Sequence, residues 1–227
     1  MEKSSRSQGS ASSIEADLQD QHLQSKLRTI RMTDAARAGT TLLALLTGLT
    51  ILGVSANTLR VYQGTHVSRD FMLPLWPDEF DLRPTLSLVA GSAVVVLANL
   101  VALGFGQVGA LRAPRAAAAA VATRTATAFL APLAGLAGTL VAVAFFYAVN
   151  ASDAADTFLS WTCRWEAVPM WRAPRWAPLC RQARAALYLA VLLIPVELAA
   201  LALAAFQLKV ERYTERYLGA RKTPVLS

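Results

Sequence analysis

The sequence predicts an all-α integral membrane protein built as a bundle of four transmembrane helices. Of its 227 residues, 55% are hydrophobic, and the mean hydropathy is +0.40. The apolar residues are gathered in four blocks, each long enough to supply the roughly 20 residues that cross a bilayer. The blocks also lack the polar face that each helix of a soluble bundle would carry. The predicted spans are residues 38–59, 85–107, 125–149 and 186–208.

Polar segments precede and follow this four-helix domain, which we place at residues 38–208. Residues 1–37 are a predicted cytoplasmic tail, partly disordered because its first residues are polar and rich in Ser. Residues 209–227 are a predicted cytoplasmic C-terminal tail. The first apolar block is too long for the core of a cleaved signal peptide, so we expect it to remain as a membrane anchor.

Basic residues predict the orientation of the bundle. The two tails and the loop between the second and third spans hold 14 of the 22 Lys and Arg residues, which favours a cytoplasmic location for both termini. Five arginines in the second outer loop, residues 150–185, argue against it. We expect a plasma membrane or secretory-pathway membrane. The expected partner is the lipid bilayer. The net charge of +7 does not indicate nucleic-acid binding, because no basic patch is interleaved with aromatics.

The two cysteines, Cys163 and Cys180, both lie in the second outer loop. An even pair in one extracytosolic loop favours a disulfide. The alternative is a zinc site, which would need two more ligands. The two histidines of the chain, His22 and His66, lie outside this loop, so we expect no metal.

Both outer loops have the composition of structured segments, which contact the rest of the chain, a partner or the membrane surface. The first, residues 60–84, contains most of the stretch LPLWPDEFDLRPT, in which prolines exclude regular helix. The second contains WTCRWEAVPMWRAPRWAP, where Arg could stack on Trp. Interfacial anchoring of the tryptophans is the simpler interpretation. The candidate interaction residues are Trp76, Asp78, Asp81, Arg83, Trp161 and Trp165.

One carboxylate, Glu197, lies in the middle of the fourth span, and Asn99 lies near the same depth in the second. Ionisable groups in hydrocarbon are costly and often functional. We expect Glu197 to be protonated, to face the bundle and to donate a hydrogen bond to Asn99 or to a threonine of the first span. Two alternatives stay open: a proton or ligand site, and a position facing lipid or water. Pro195, two residues earlier, could kink the helix and open a small polar pocket.

No enzymatic motif is present in the sequence. It contains no CxxC, HExxH, GxSxG or phosphate-binding loop. We therefore expect no catalytic residue and no cofactor.

Four spans with two outer loops resemble the tetraspan architecture of MARVEL-type and claudin-like membrane proteins. The resemblance is architectural, because claudins carry two cysteines in the first outer loop, whereas Cys163 and Cys180 lie in the second. The LPLWPDEFDLRPT stretch, followed directly by a span, is similar to uncharacterised four-span proteins of filamentous fungi. The resemblance implies a role in membrane organisation, without an assigned activity.

These observations predict a non-enzymatic tetraspan protein that organises or assists other membrane proteins, or copies of itself, through its extracytosolic loops. The alternative is a small transporter or channel subunit that uses Glu197 and Asn99 within the bundle.

Overall fold

The computed structural model describes residues 5–66, 75–77, 79–111, 117–152 and 156–221. Helices dominate these ranges, and the all-α prediction is confirmed. In chain order the elements are α1 (Ser5–Thr65), β1 (Phe80–Asp81), α2 (Arg83–Leu111), α3 (Ala117–Ala151), β2 (Asp156–Thr157), α4 (Phe158–Arg164) and α5 (Trp176–Arg221).

Four of the helices are long and apolar enough to cross a membrane, and each predicted span overlaps one of them. The apolar stretches are Arg31–Thr65, Arg83–Gly104, Ala126–Ala151 and Trp176–Val210. This fits an integral membrane protein. α1 is one helix of 61 residues, so the predicted N-terminal tail is helical from Ser5 onward and joins the first span without a break. Where the membrane ends along each helix stays a prediction.

Many small residues lie inside the bundle, and many large apolar residues lie on its outer surface. Ala44, Ala142 and Ala190 are buried, whereas Leu46, Leu97 and Val141 are 54%, 64% and 67% exposed. In water such an outer surface would be a large apolar patch. In lipid it is expected, because helices there associate through small residues that let their backbones approach.

The closest such approach joins α2 to α3. A Cβ atom added to Gly91 would lie 2.8 Å from the carbonyl oxygen of Gly138 and 2.8 Å from Cβ of Ala142. Nothing larger than glycine fits between the two backbones at this point. Gly138 of the third span thus serves a helix contact within one chain.

The loops between the spans fold together at one end of the bundle. β1 pairs with β2 in parallel, with Phe80 opposite Asp156, so the first and second outer loops share a sheet. A capping box at Thr157 starts α4. We call the described residues of 75–82 and 156–176, with the end of α1, the cap. The opposite end of the bundle, which carries the chain termini, is the terminal side.

Candidate functional site

The cap is held by an aromatic cluster around Trp76. Trp76 is 4% exposed, and its ring centroid lies 5.2 Å from those of Phe80 and Trp176 and 5.4 Å from that of Phe158. Its indole Nε1 donates a 3.0 Å hydrogen bond to Thr65 Oγ1 at the end of α1. Trp76 was predicted to contact either the chain itself or a partner, and its contacts are internal.

A disulfide joins Cys163 to Cys180, as predicted, and ties the end of α4 to the first turns of α5. Glu166 lies beside it, with Oε2 3.4 Å from Cys180 Sγ and 3.8 Å from Arg184 Nη2. The side chains of Cys163, Glu166 and Cys180 lie close enough together to hold a metal ion. Sulfur atoms in a disulfide carry no thiolate, however, so this cluster is not a zinc site.

The other predicted loop residues divide between structural and exposed positions. Asp81 Oδ1 accepts a 2.8 Å bond from the backbone N–H of Arg83, which caps the start of α2. Trp161 and Trp165 contact each other edge to face at 5.7 Å, and Trp165 is 41% exposed. Asp78 lies outside the described residues.

The most exposed tryptophan of the described chain was not among the predicted residues. Trp171 is 98% exposed and stands in the loop between α4 and α5, which the disulfide closes. Its neighbours Arg172 and Arg175 are exposed as well. The sequence offered five tryptophans in similar surroundings, so it could not show which of them the fold leaves outside.

A second site lies within the bundle, where Glu197 is fully buried. Asn99 Nδ2 donates hydrogen bonds to Glu197 Oε1 at 3.2 Å and to the Val95 carbonyl at 2.9 Å. The structure therefore joins the two polar residues singled out in the spans. Oε2 of Glu197 has no hydrogen-bond partner within the described residues.

The threonines of the first span, the other expected partners of Glu197, bond to their own helix. Thr47 Oγ1 donates to the Leu43 carbonyl at 2.8 Å, and Thr41 Oγ1 donates to the Arg37 carbonyl at 2.9 Å. A hydroxyl in a helix reaches the carbonyl one turn back without any rearrangement.

The backbone of α3 packs directly on the Glu197 carboxyl. A Cβ added to Gly135 would lie 2.8 Å from Cδ of Glu197 and closer still to Oε1. Glycine at 135 is thus what makes room for the glutamate. The sequence alone could not indicate this role of Gly135, because the side chain that fills the space over a glycine depends on the rotation of the helices.

A cavity of about 190 Å³, lined by both polar and apolar residues, lies one helical turn from this carboxyl, toward the terminal side. Asn99 lines it on α2, Pro132 on α3 and Ala200 on α5. These helices are α5, which carries Glu197, and the two helices that contact its carboxyl. The rest of the lining is Asp34, Arg37, Ala38, Thr41, Ala102, Leu103, Thr127 and Ala128. The sequence could have indicated it, since positions 34, 37, 38 and 41 share one face of α1.

The polar pocket was predicted at the wrong proline. Pro195 is exposed on the outer surface of α5, and the helix continues through it from Trp176 to Arg221. Pro132 lies in α3 and lines the cavity instead. Because proline has no N–H, the Ala128 carbonyl loses its usual helical bond from residue 132, and Ala128 also lines the cavity.

Comparisons with known proteins give this chain no family. No family model matches it, no curated protein matches it, and no solved structure matches it. The likeness to MARVEL-type, claudin-like or fungal four-span proteins thus has no support beyond the four apolar helices.

Proposed function

We propose that this chain is a non-enzymatic tetraspan protein that binds other membrane proteins through its cap. The observation that supports this most is Trp171, 98% exposed on a loop closed by the disulfide between Cys163 and Cys180. Tryptophan is one of the residues that most often dominate the energy of an interface. Leaving it in contact with water is unfavourable, so a partner that covers it gains affinity.

The loop that carries Trp171 is held in place before any partner binds. The disulfide fixes one end, and buried Trp176 in the aromatic cluster fixes the other. A fixed loop loses little conformational entropy on binding, which leaves more of the contact energy as affinity. Arg172 and Arg175 are exposed beside it, so the partner surface we propose has an apolar pocket with an acidic rim.

The cap faces the extracytosolic side in this proposal, and both termini are cytoplasmic. The 14 basic residues on the terminal side support this orientation. The disulfide supports it too, since such bonds persist in the oxidising compartments of the secretory pathway and at the cell surface. The plasma membrane or a secretory-pathway membrane is the proposed location.

The test places a photo-activatable amino acid at position 171 and cross-links the protein in its native membrane. Tyr188 is the matched control, because it is an aromatic residue 65% exposed on the membrane-spanning part of α5. We expect a discrete protein adduct from position 171 and lipid adducts from position 188. Lipid adducts alone from both positions would refute the proposal and make Trp171 a membrane anchor.

A second candidate, a small transporter or channel subunit, is favoured by one observation. The 190 Å³ cavity reaches Asn99, which bonds Glu197 in the middle of the bundle. Purified wild type and Glu197→Gln would be compared for thermal stability and for proton flux in liposomes. Flux in the wild type that Glu197→Gln abolishes at unchanged stability would establish this candidate; no flux in either would exclude proton transport.

A further inference from the structure

The cavity on the terminal side has a composition suited to water. Its polar lining comes from Asp34, Arg37 and Thr41 on α1, Thr127 on α3 and Asn99 on α2. The Ala128 carbonyl adds an acceptor because Pro132 cannot bond to it. A cavity of about 190 Å³ holds several water molecules when, as here, polar groups can bond them.

The cavity also has the right position to connect Glu197 with the aqueous phase. Ala200 follows Glu197 by three residues on α5, and Pro132 precedes Gly135 by three on α3, so both lie one turn closer to the terminal side. At its other end, Asp34 accepts a 3.0 Å bond from Gln207. Gln207 lies seven residues from Ala200, about 10 Å along the helix.

On the opposite side of Glu197, toward the cap, the described residues are tightly packed. Leu193 and Ile51, each 1% exposed, lie in the direction of the cap. The void that they line with Ser92 and Thr139 has a volume of only about 10 Å³, which is at the lower limit for a single water molecule.

We propose that this cavity is a water-filled vestibule through which Glu197 exchanges a proton with the aqueous phase on the terminal side alone. The proton leaves a carboxyl oxygen of Glu197 for a water molecule that reaches it from the vestibule. This water becomes hydronium and passes the proton outward, and uptake is the reverse. Asn99, donating to Oε1, holds the carboxyl in either charge state. The inference does not depend on the partner of the cap.

Charged groups in the vestibule come from one helix. Asp34 and Arg37 on α1 lie at its outer end, and the described lining residues of α2, α3 and α5 are uncharged. In this proposal, exchange at Glu197 responds to the pH on the terminal side.

The reactivity of engineered cysteines tests whether water enters the cavity. Both native cysteines are in the disulfide, so a single new thiol is the only reactive one. We expect Ala200→Cys to react with a membrane-impermeant methanethiosulfonate added to the terminal side, and to be unreactive when the reagent is added to the cap side. Leu198→Cys, 50% exposed on the outer surface of the same helix, should be unreactive from both sides. Equal lack of reaction at both positions would overturn the proposal.

Infrared spectroscopy in liposomes tests whether Glu197 exchanges its proton. We expect a carboxylic C=O band that responds to bulk pH and shifts in D₂O, and that is lost in Glu197→Gln. Ala102→Leu, which fills the cavity, should slow the shift in D₂O, whereas Ala137→Leu on the exposed face of α3 should leave its rate unchanged. A Glu197 band that ignores both pH and D₂O would refute proton exchange whether or not the cavity variant folds.

Discussion

Gly135→Ala is the most informative single substitution in the bundle. Alanine is a better helix former than glycine by about 1 kcal/mol, so on propensity alone the variant should be more stable. The added methyl, however, would lie 2.8 Å from Cδ of Glu197 and closer to Oε1. The carboxyl must therefore move, and it cannot keep its 3.2 Å bond from Asn99.

Two costs oppose the gain in helix propensity. Overpacking a filled site typically costs about 1–3 kcal/mol, and leaving a buried polar group without its partner costs about 1–3 kcal/mol more. After the gain of about 1 kcal/mol, we expect Gly135→Ala to lower the free energy of unfolding by about 1–5 kcal/mol. Gly53 is the control, because a Cβ there meets nothing within 4 Å, and Gly53→Ala should be neutral or stabilising.

The assay is reversible unfolding in mixed micelles, monitored by circular dichroism, for each single variant and for the double variant Gly135→Ala/Glu197→Ala. Removing the carboxyl removes the clash, so Gly135→Ala should cost much less in the Glu197→Ala background. The expected coupling free energy is about 1–3 kcal/mol. If both glycine substitutions change stability alike, the carboxyl does not rest on α3 and the reasoning fails.

Three further substitutions test the cap and the polar pair. Cys163→Ser removes a disulfide between residues 17 apart in sequence. Denaturation should show a loss of about 3 kcal/mol in the free energy of unfolding, equal to the effect of reductant on the wild type. A variant as stable as the wild type would contradict a stabilising disulfide. Trp76→Ala should lower the free energy of unfolding by about 3–5 kcal/mol and expose the outer loops to protease. Trp171→Ala should change it by no more than about 0.5 kcal/mol. Similar values for both variants would contradict the burial of Trp76. Asn99→Leu should cost about 1–3 kcal/mol, since Glu197 loses its hydrogen bond from Asn99. Stability like that of the wild type would mean that the bond contributes nothing.

The sequence predicted the helices because a bilayer imposes a simple constraint. A span must be long and apolar, and each predicted block overlaps one observed apolar stretch. Helix ends are different, because they depend on what lies beyond the membrane. α1 begins at Ser5, well before the predicted span that starts at residue 38. α5 begins at Trp176, ten residues before the predicted span, since Trp176 and Cys180 are held in the cap.

The contacts between distant segments were harder to predict. The pairing of Glu197 with Asn99 could be predicted, since two polar residues at one depth have few other partners in hydrocarbon. The role of Gly135 and the position of the cavity could not, because both depend on the rotation of three helices about their axes. The same holds in the cap, where the fold buries Trp76 and leaves Trp171 98% exposed.

The proposed proton exchange would explain features around Glu197 that a structural hydrogen bond alone does not explain. A glutamine at 197 would have the same length and could accept the bond from Asn99, without the cost of an ionisable group in the membrane. The bundle instead keeps a carboxyl, with glycine on α3 to make room for it and a polar cavity one turn away on the terminal side. A purely structural residue does not need that cavity, but a carboxyl that exchanges protons does. Glu197→Gln separates the two roles, since it preserves the bond to Asn99 and removes the exchangeable proton.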